Sequence, residues 1–394
     1  MFHLWLNVPV LDIPQTMRAV VYRGVNDLRL ETVPVPQIGA NELLVKVAVC
    51  GVCPTDIKKI QHGLVPPPRI FGHETAGTIV KIGDSGSETK NSKFKIQNLK
   101  VGDRVALHHH VPCLDCHFCR HHAFAQCATY KRTGITAGFE PAGGGYAEYV
   151  RVMPFVLPGV VKIPAKNSFA EGAMLEPVNT ILKAVRRLNL LPGDTALVAG
   201  QGPIGLMFTK ILQLAHIRVL ATDLLPSRLK LARKFGAKWT RLVQSPKSKV
   251  QSQTPPALEF GPWTLDSIDA AIIAVPSDNA VQQALQLVRG GGQVLLFAHT
   301  KRAKSKVQSL KPKVKNPSPF SLDLASICLD EKDLIGSYSS DFTLQAEVAR
   351  LVFSRQLDVR GLITHYFPLE QTPAAIALAS RPTPDSLKIL IHVR

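Results

Sequence analysis

The segment TALVAGQGPIGLMFTKILQLAHIRVLATD, residues 195–223, leaves the chain few folds to choose from. TALVAG is a short apolar run ending in Gly200. Gly200-Gln201-Gly202-Pro203-Ile204-Gly205 fits G-x-G-x-x-G and opens a stretch with helical apolar periodicity. RVLATD then reads as a second strand ending in Asp223. In such a unit the first glycine makes a tight turn, the second lets a pyrophosphate approach the backbone, and the third lets helix and strand pack closely. Unpaired N–H groups at the helix start face the phosphates. Asp223 lies 23 residues after Gly200, near the spacing of the acid that binds both ribose hydroxyls of NAD. A carboxylate there repels a 2′-phosphate, and no Arg or Lys follows it directly, so NAD is expected rather than NADP. Arg228, further on, joins the nucleotide-binding set. A βαβ unit without nucleotide is the other reading of the pattern.

Further strand candidates follow at DAAIIAVP (269–276), GGQVLLFA (291–298) and DLIGSYSS (333–340), with a helix NAVQQALQLV (279–288) between the first two. Alternation of this kind predicts an α/β protein with a doubly wound parallel sheet. Upstream, LLVKVAV (43–49) and AEYVRVM (147–153) read as short strands of a β-rich part.

Residues 113–127, CLDCHFCRHHAFAQC, hold Cys113, Cys116, Cys119 and Cys127. Four thiolates saturate tetrahedral Zn²⁺ and leave no position for water or substrate, so a metal here is structural. Disulfides suit so dense a set poorly in a chain without a signal peptide, and iron–sulfur clusters usually draw a ligand from elsewhere. A catalytic metal must then lie apart. CGVCPTDIKKI (50–60) and FGHETAG (71–77) supply Cys53, His73 and Glu74, with Asp56 close by to orient the histidine. Spacing alone also fits a buried cysteine and histidine with no metal.

With 394 residues and 45% apolar composition the chain can bury two domain cores. No apolar run approaches the roughly 18–20 residues that span a bilayer. Residues 1–16 lack the basic start and cleavage site of a signal peptide and read as an extension to the fold, or as a start codon assigned too early. The expected location is the cytoplasm. The formal charge of +18 comes largely from three lysine-bearing stretches, 87–100, 244–256 and 301–317, which read as solvated loops. No aromatics interleave the lysines to stack bases, so nucleic acid is not the expected partner.

In order along the chain, C-x-T-D (Cys53 to Asp56), GHE (72–74), the four-cysteine lobe, GGGYAEYV (143–150), EP (176–177) and the glycine motif resemble the medium-chain, zinc-dependent alcohol dehydrogenases, in their sorbitol and threonine dehydrogenase branch. The resemblance runs from Met17 to the C-terminus. It implies a GroES-like, β-rich catalytic domain from residues 17–177 and 343–394, with a zinc lobe at 108–128, and an inserted Rossmann NAD-binding domain at 178–342. It implies two Zn²⁺ per chain, one held by the four lobe cysteines. The other is bound by Cys53 and His73, with Glu176 as a ligand directly or through water and Glu74 exchanging in. Thr55 would take the proton of a secondary alcohol, which passes hydride to NAD by way of a zinc alkoxide. Lys388 stands where relatives often carry a basic residue near the pyrophosphate. Lys58 replaces the histidine common at the end of the relay, and Pro54 replaces the residue that usually follows the zinc cysteine. Cys50 and Cys328 are expected to be packed, unreactive thiols. A polyol-like substrate and a homodimer or homotetramer are expected. The competing readings are a zinc-free quinone reductase and a non-catalytic nucleotide or RNA binder on the same fold.

Overall fold

The computed structural model describes residues 12–84, 98–108, 111–133, 144–243, 268–298 and 322–393. Strands β1 (Thr16–Gly24) and β2 (Asp27–Pro34) form a hairpin whose turn uses Asn26 at φ 58°, a conformation asparagine tolerates better than most residues. In β3 (Leu43–Gly51) Lys46 alone is exposed, the burial expected of a strand with neighbours on both sides. β4 (Arg69–Ile70), β5 (Glu74–Ile82), β6 (Arg104–Leu107), β7 (Tyr149–Val152) and β8 (Val160–Lys162) follow. The chain then runs through β9 (Thr195–Ala199), β10 (Arg218–Asp223), β11 (Trp239–Leu242), β12 (Ile268–Ile273), β13 (Val288–Leu296) and β14 (Asp333–Gly336). It ends with β15 (Ile363–Pro368) and β16 (Lys388–His392).

These elements fall into two compact units, residues 1–179 with 340–394, and residues 180–339. The first holds a three-stranded sheet, β2-β1-β4, and a larger sheet in the order β15-β16-β3-β5-β6-β8, with β7 also on β3. Tyr22, Phe71, Ile79 and Tyr146 belong to a core cluster there. The second unit has a parallel sheet in the order β11-β10-β9-β12-β13-β14. Numbered within the unit, this is the order 3-2-1-4-5-6 of a dinucleotide-binding sheet, reversing between β9 and β12. The glycine loop follows β9, at the point of reversal, where such sheets bind ligands. No helix among the described residues is long and apolar enough to cross a membrane. The lysine-rich stretches at 244–256 and 301–317 and residues 87–97 lie outside the described residues.

Cys50 is fully buried and burial pushes its thiol up to about 12, so it is a packed, unreactive group. The expectation for Cys328 is corrected. It sits exposed on the helix Leu324–Leu329, where Ile327 rather than Cys328 packs against the neighbouring core.

A buried carboxylate fastens the first unit. Ser168 caps the helix Phe169–Ala173: its Oγ accepts the Glu171 N–H at 3.1 Å, and Glu171 accepts the Ser168 N–H at 2.7 Å. Asn167 Nδ2 and Arg355 Nε donate to the same carboxylate at 2.9 and 3.0 Å. Burial raises the Glu171 pKa, but these donors, Arg355 foremost, outweigh it and hold the group at about 2. A lowered folded-state pKa gives stability that is complete above the unfolded value of about 4.5 and is lost as pH falls toward 2. Glu171→Gln is expected to cost about 1–3 kcal/mol at neutral pH. The gap between mutant and wild type should shrink in denaturant melts run from pH 4.5 down to pH 2.

Candidate active site and metal centres

From the end of β3 the chain turns through Val52 and Cys53 into the helix Pro54–His62. Cys53 keeps extended backbone (φ −102°, ψ 138°), as a residue before proline does, and Pro54 fills the first helical position, where no N–H is needed. Thr55, half-buried, and Asp56, fully buried, are thereby fixed in the first turn. Across the sheet β5 starts at Glu74, which pairs with Gly51. His73 and Glu74 are therefore delivered beside Cys53, and the ligand atoms of the three residues lie within 4.8 Å of one another.

His73 Nδ1 stands 3.1 Å from the Asp56 carboxylate. Donating that proton leaves the Nε2 lone pair for a metal. Burial opposes charge on both groups, yet each outweighs it for the other. Asp56 is held below the ordinary carboxylate range and His73 well above the ordinary imidazole range, with Cys53 adding to the latter. One thiolate, one imidazole and a carboxylate make the donor set of a catalytic zinc, with a position to spare. Glu176 is buried at the start of the helix Leu175–Val185 but stands outside that ligand group. Burial first, and then the Glu74 carboxylate, push it up to about 7 against the pull of His73 and Lys388.

The sequence reading puts Lys388 near the pyrophosphate, and the structure shows its surroundings within the first unit. β16 lies antiparallel to β3, and the Lys388 side chain is buried. Its ammonium pairs with the Glu74 carboxylate and donates to the Val52 carbonyl at 3.0 Å. Burial disfavours the ammonium, but the carboxylate beside it more than offsets this and holds its pKa above the ordinary lysine value. Gly51 makes room for the arrangement, since a Cβ there would stand 1.8 Å from Glu74 Oε2. Neither feature carries a motif. A lysine amid the apolar SLKILIHV is the one sequence signal that could have pointed to a buried cation. Lys58 is half-buried, and burial lowers its pKa, with Cys53 opposing.

In the cysteine lobe the sulfurs of Cys116 and Cys119 are 3.5 Å apart, those of Cys113 and Cys127 3.7 Å, and those of Cys113 and Cys119 3.9 Å. Four Zn–S bonds of about 2.3 Å at tetrahedral angles would set sulfurs about 3.8 Å apart, whereas a disulfide needs about 2 Å. The Cys113 N–H points at Cys127 Sγ (3.5 Å) and the Cys116 N–H at Cys113 Sγ (3.4 Å). Burial raises the Cys127 thiol, but the Cys113 and Tyr130 N–H groups outweigh it and hold it at about 6, ready to ligate as thiolate. The four residues fit a closed zinc site.

In the second unit Gly200 adopts φ 91°, and a Cβ there would meet Val275 at 2.3 Å; one on Gly205 would lie 1.8 Å from the Gly200 carbonyl oxygen. Gly202 caps the helix Pro203–Leu214, with Pro203 and Ile204 as its first two residues. The nearest atom to a Cβ on Gly202 would be Arg228 Nη1 at 3.2 Å, so Arg228 stands beside the loop. The Asp223 carboxylate accepts the Gln201 N–H at 2.6 Å and the Leu225 N–H at 2.9 Å, which holds it at the tip of β10 next to the glycines. The motif residues are together.

Residues 39–165 match the alcohol dehydrogenase GroES-like domain family, and residues 203–354 match the zinc-binding dehydrogenase family. The chain belongs to the zinc-dependent medium-chain alcohol dehydrogenase superfamily. Within it the protein falls on the sorbitol dehydrogenase-like branch. The sorbitol dehydrogenase of Bombyx mori is 28% identical over 382 residues, covering 95% of this chain and 98% of the relative. That of Bacillus subtilis (strain 168) is 29% identical over 388 residues, covering 96% and 98%. Among solved structures, alcohol dehydrogenase TADH from Thermus sp. ATN1 superposes with a TM-score of 0.74 at 27% identity, covering 96% of this chain and 100% of that one. Zinc and a nicotinamide cofactor go with membership of this superfamily.

Proposed function

We propose that this medium-chain dehydrogenase uses NAD to oxidise a secondary alcohol of a small polyol or a similar hydroxylated molecule, with one catalytic and one structural zinc per chain. The observation that carries the reading is the convergence of the Cys53, His73 and Glu74 ligand atoms within 4.8 Å, with Asp56 behind His73. Glu176-Pro177 and the similarity to sorbitol dehydrogenases support the polyol class. An oligomer, dimer or tetramer, in the cytoplasm belongs to the same reading.

When bound, zinc supplies the Lewis acidity that lowers an alcohol's hydroxyl pKa, and the nicotinamide supplies the hydride acceptor. The rest falls to the chain. Cys53 and His73 hold the metal, and Asp56 fixes the imidazole tautomer and ring angle. Lys388 tethers Glu74 through one carboxylate oxygen, so the ion pair competes with the metal for that carboxylate. Glu176, buried at the start of the helix Leu175–Val185, is the further carboxyl that would reach the metal directly or through water. Thr55 Oγ1, in the first turn of the helix Pro54–His62, takes the proton the substrate releases. Gly202 admits the pyrophosphate and Asp223 receives the ribose hydroxyls.

The test is NADH formation by the zinc-loaded protein over polyols, simple secondary alcohols and L-threonine. Turnover with a polyol, preferring NAD to NADP, is expected; turnover confined to another class, or none in a protein carrying both metals, would sink the substrate assignment. Asp223→Gly supplies the cofactor check. Removing the carboxylate deletes the ribose partner and the repulsion of a 2′-phosphate together. The NAD to NADP ratio of kcat/KM is expected to fall by roughly a hundredfold, the worth of about 2.7 kcal/mol.

A further inference from the structure

Histidine is spread unevenly along the chain: six of the 13 fall between residues 108 and 122. Two of them, His117 and His121, stand at positions i and i+4 of the short helix His117–Arg120 and its C-cap, a spacing that puts side chains on one face, one above the other. Both are exposed, and their ring centroids are 4.5 Å apart with the planes at 62°. A metal–nitrogen bond of about 2.1 Å puts an imidazole centroid about 3.2 Å from the ion. Two imidazoles in adjacent coordination positions, at roughly 90°, then have centroids about 4.5 Å apart. The observed pair already has that separation.

We propose that His117 and His121 form an exchangeable two-imidazole chelate for a borderline divalent ion of the Cu²⁺, Ni²⁺ and Zn²⁺ class, with water completing its shell. Phe118 sets its ring edge-on to His117 at 5.9 Å, and the neighbouring polar groups among the described residues have other partners. The Arg120 guanidinium is tied to the Asp115 carbonyl at 3.0 Å. His122 has left-handed backbone (φ 54°) and sets its ring edge-on to Phe124 at 5.7 Å. Cys116 and Cys119 flank His117 in sequence but belong to the sulfur cluster. With zinc in the lobe, four thiolates around one divalent ion leave net negative charge beside the imidazoles, which favours a second cation. Nitrogen ligands and an open, flexible shell select the later first-row ions over Mg²⁺, with Cu²⁺ tightest.

The test is titration of the zinc-loaded, full-length protein, free of any affinity tag, with Ni²⁺ by calorimetry, and with zinc content measured before and after. Ni²⁺ is preferred to Cu²⁺ because it does not oxidise thiols. One Ni²⁺ per chain is expected to bind in the micromolar range with no zinc lost. His117→Ala and His121→Ala should each weaken binding roughly tenfold or more. His122→Ala should leave it unchanged, and Mg²⁺ should not compete. Ni²⁺ binding that survives both alanine variants, that grows only as zinc departs, or that is missing from the wild type would overturn the proposal.

Discussion

Cys53→Ser is expected to lower kcat/KM by a thousandfold or more, to remove one zinc per chain, and to leave the thermal midpoint almost unmoved. The three parts have separate causes. A serine hydroxyl is a hard, protonated donor, so the site loses its soft anionic ligand and keeps only His73 and the carboxylates. Losing the metal's polarisation of the substrate oxygen removes about 4 kcal/mol or more from the barrier reduction, which is about a thousandfold in rate. The fold is spared because Cys53 is the N-cap of its helix with extended backbone, a position that serine suits better than cysteine. Zinc by mass spectrometry, NADH formation and a melting curve on the same sample read all three. Full turnover with only the lobe zinc present would rule out Cys53 as a ligand.

Cys127→Ser should do the reverse. Cys127 is fully buried in the lobe, whose own core is little more than Phe124, Ala125 and Tyr130, with Phe342 packed against it. So small a cluster cannot order itself by apolar burial, and the metal has to supply the difference. Structural zinc sites of this kind hold their ion with about 10–16 kcal/mol of apparent binding energy, all of which becomes folding energy. The variant is expected to lose the lobe zinc, to be cleaved within residues 111–133 by low levels of protease that spare the wild type, and to melt several degrees lower. The zinc at Cys53 should stay. Resistance to cleavage with one zinc missing would mean that packing, not metal, orders the lobe.

What could be read from sequence was local. The glycine loop, the strand before it and Asp223 lie within 29 consecutive residues, and the four lobe cysteines within fifteen, so spacing alone dictates their geometry. Cys53 and His73 are twenty residues apart, and a strand-to-strand return brings them together, which motif order anticipates. The pairing of Lys388 was not legible because its partners, Glu74 and the Val52 carbonyl, come from the other end of the chain, and no periodicity reports a pairing at that range. Gly51 is required by the side chain opposite it and not by its own backbone, so nothing in its neighbours marks it. Cys328 was expected inside because that is the usual place of a cysteine, but none of the six residues of its helix is buried.

The ion pair between Lys388 and Glu74 has a consequence for how the protein is made. Lys388 and Val52, which it also contacts, are 336 positions apart. On the ribosome the unit of residues 180–339 is therefore synthesised, and free to fold, while the first unit still lacks β16 from its large sheet. Until β16 docks beside β3, Glu74 has no buried counter-charge, and an unpaired carboxylate in that place is costly. The emerging chain thus carries the Glu74 carboxylate without its ammonium partner until β16 has been made and docks beside β3.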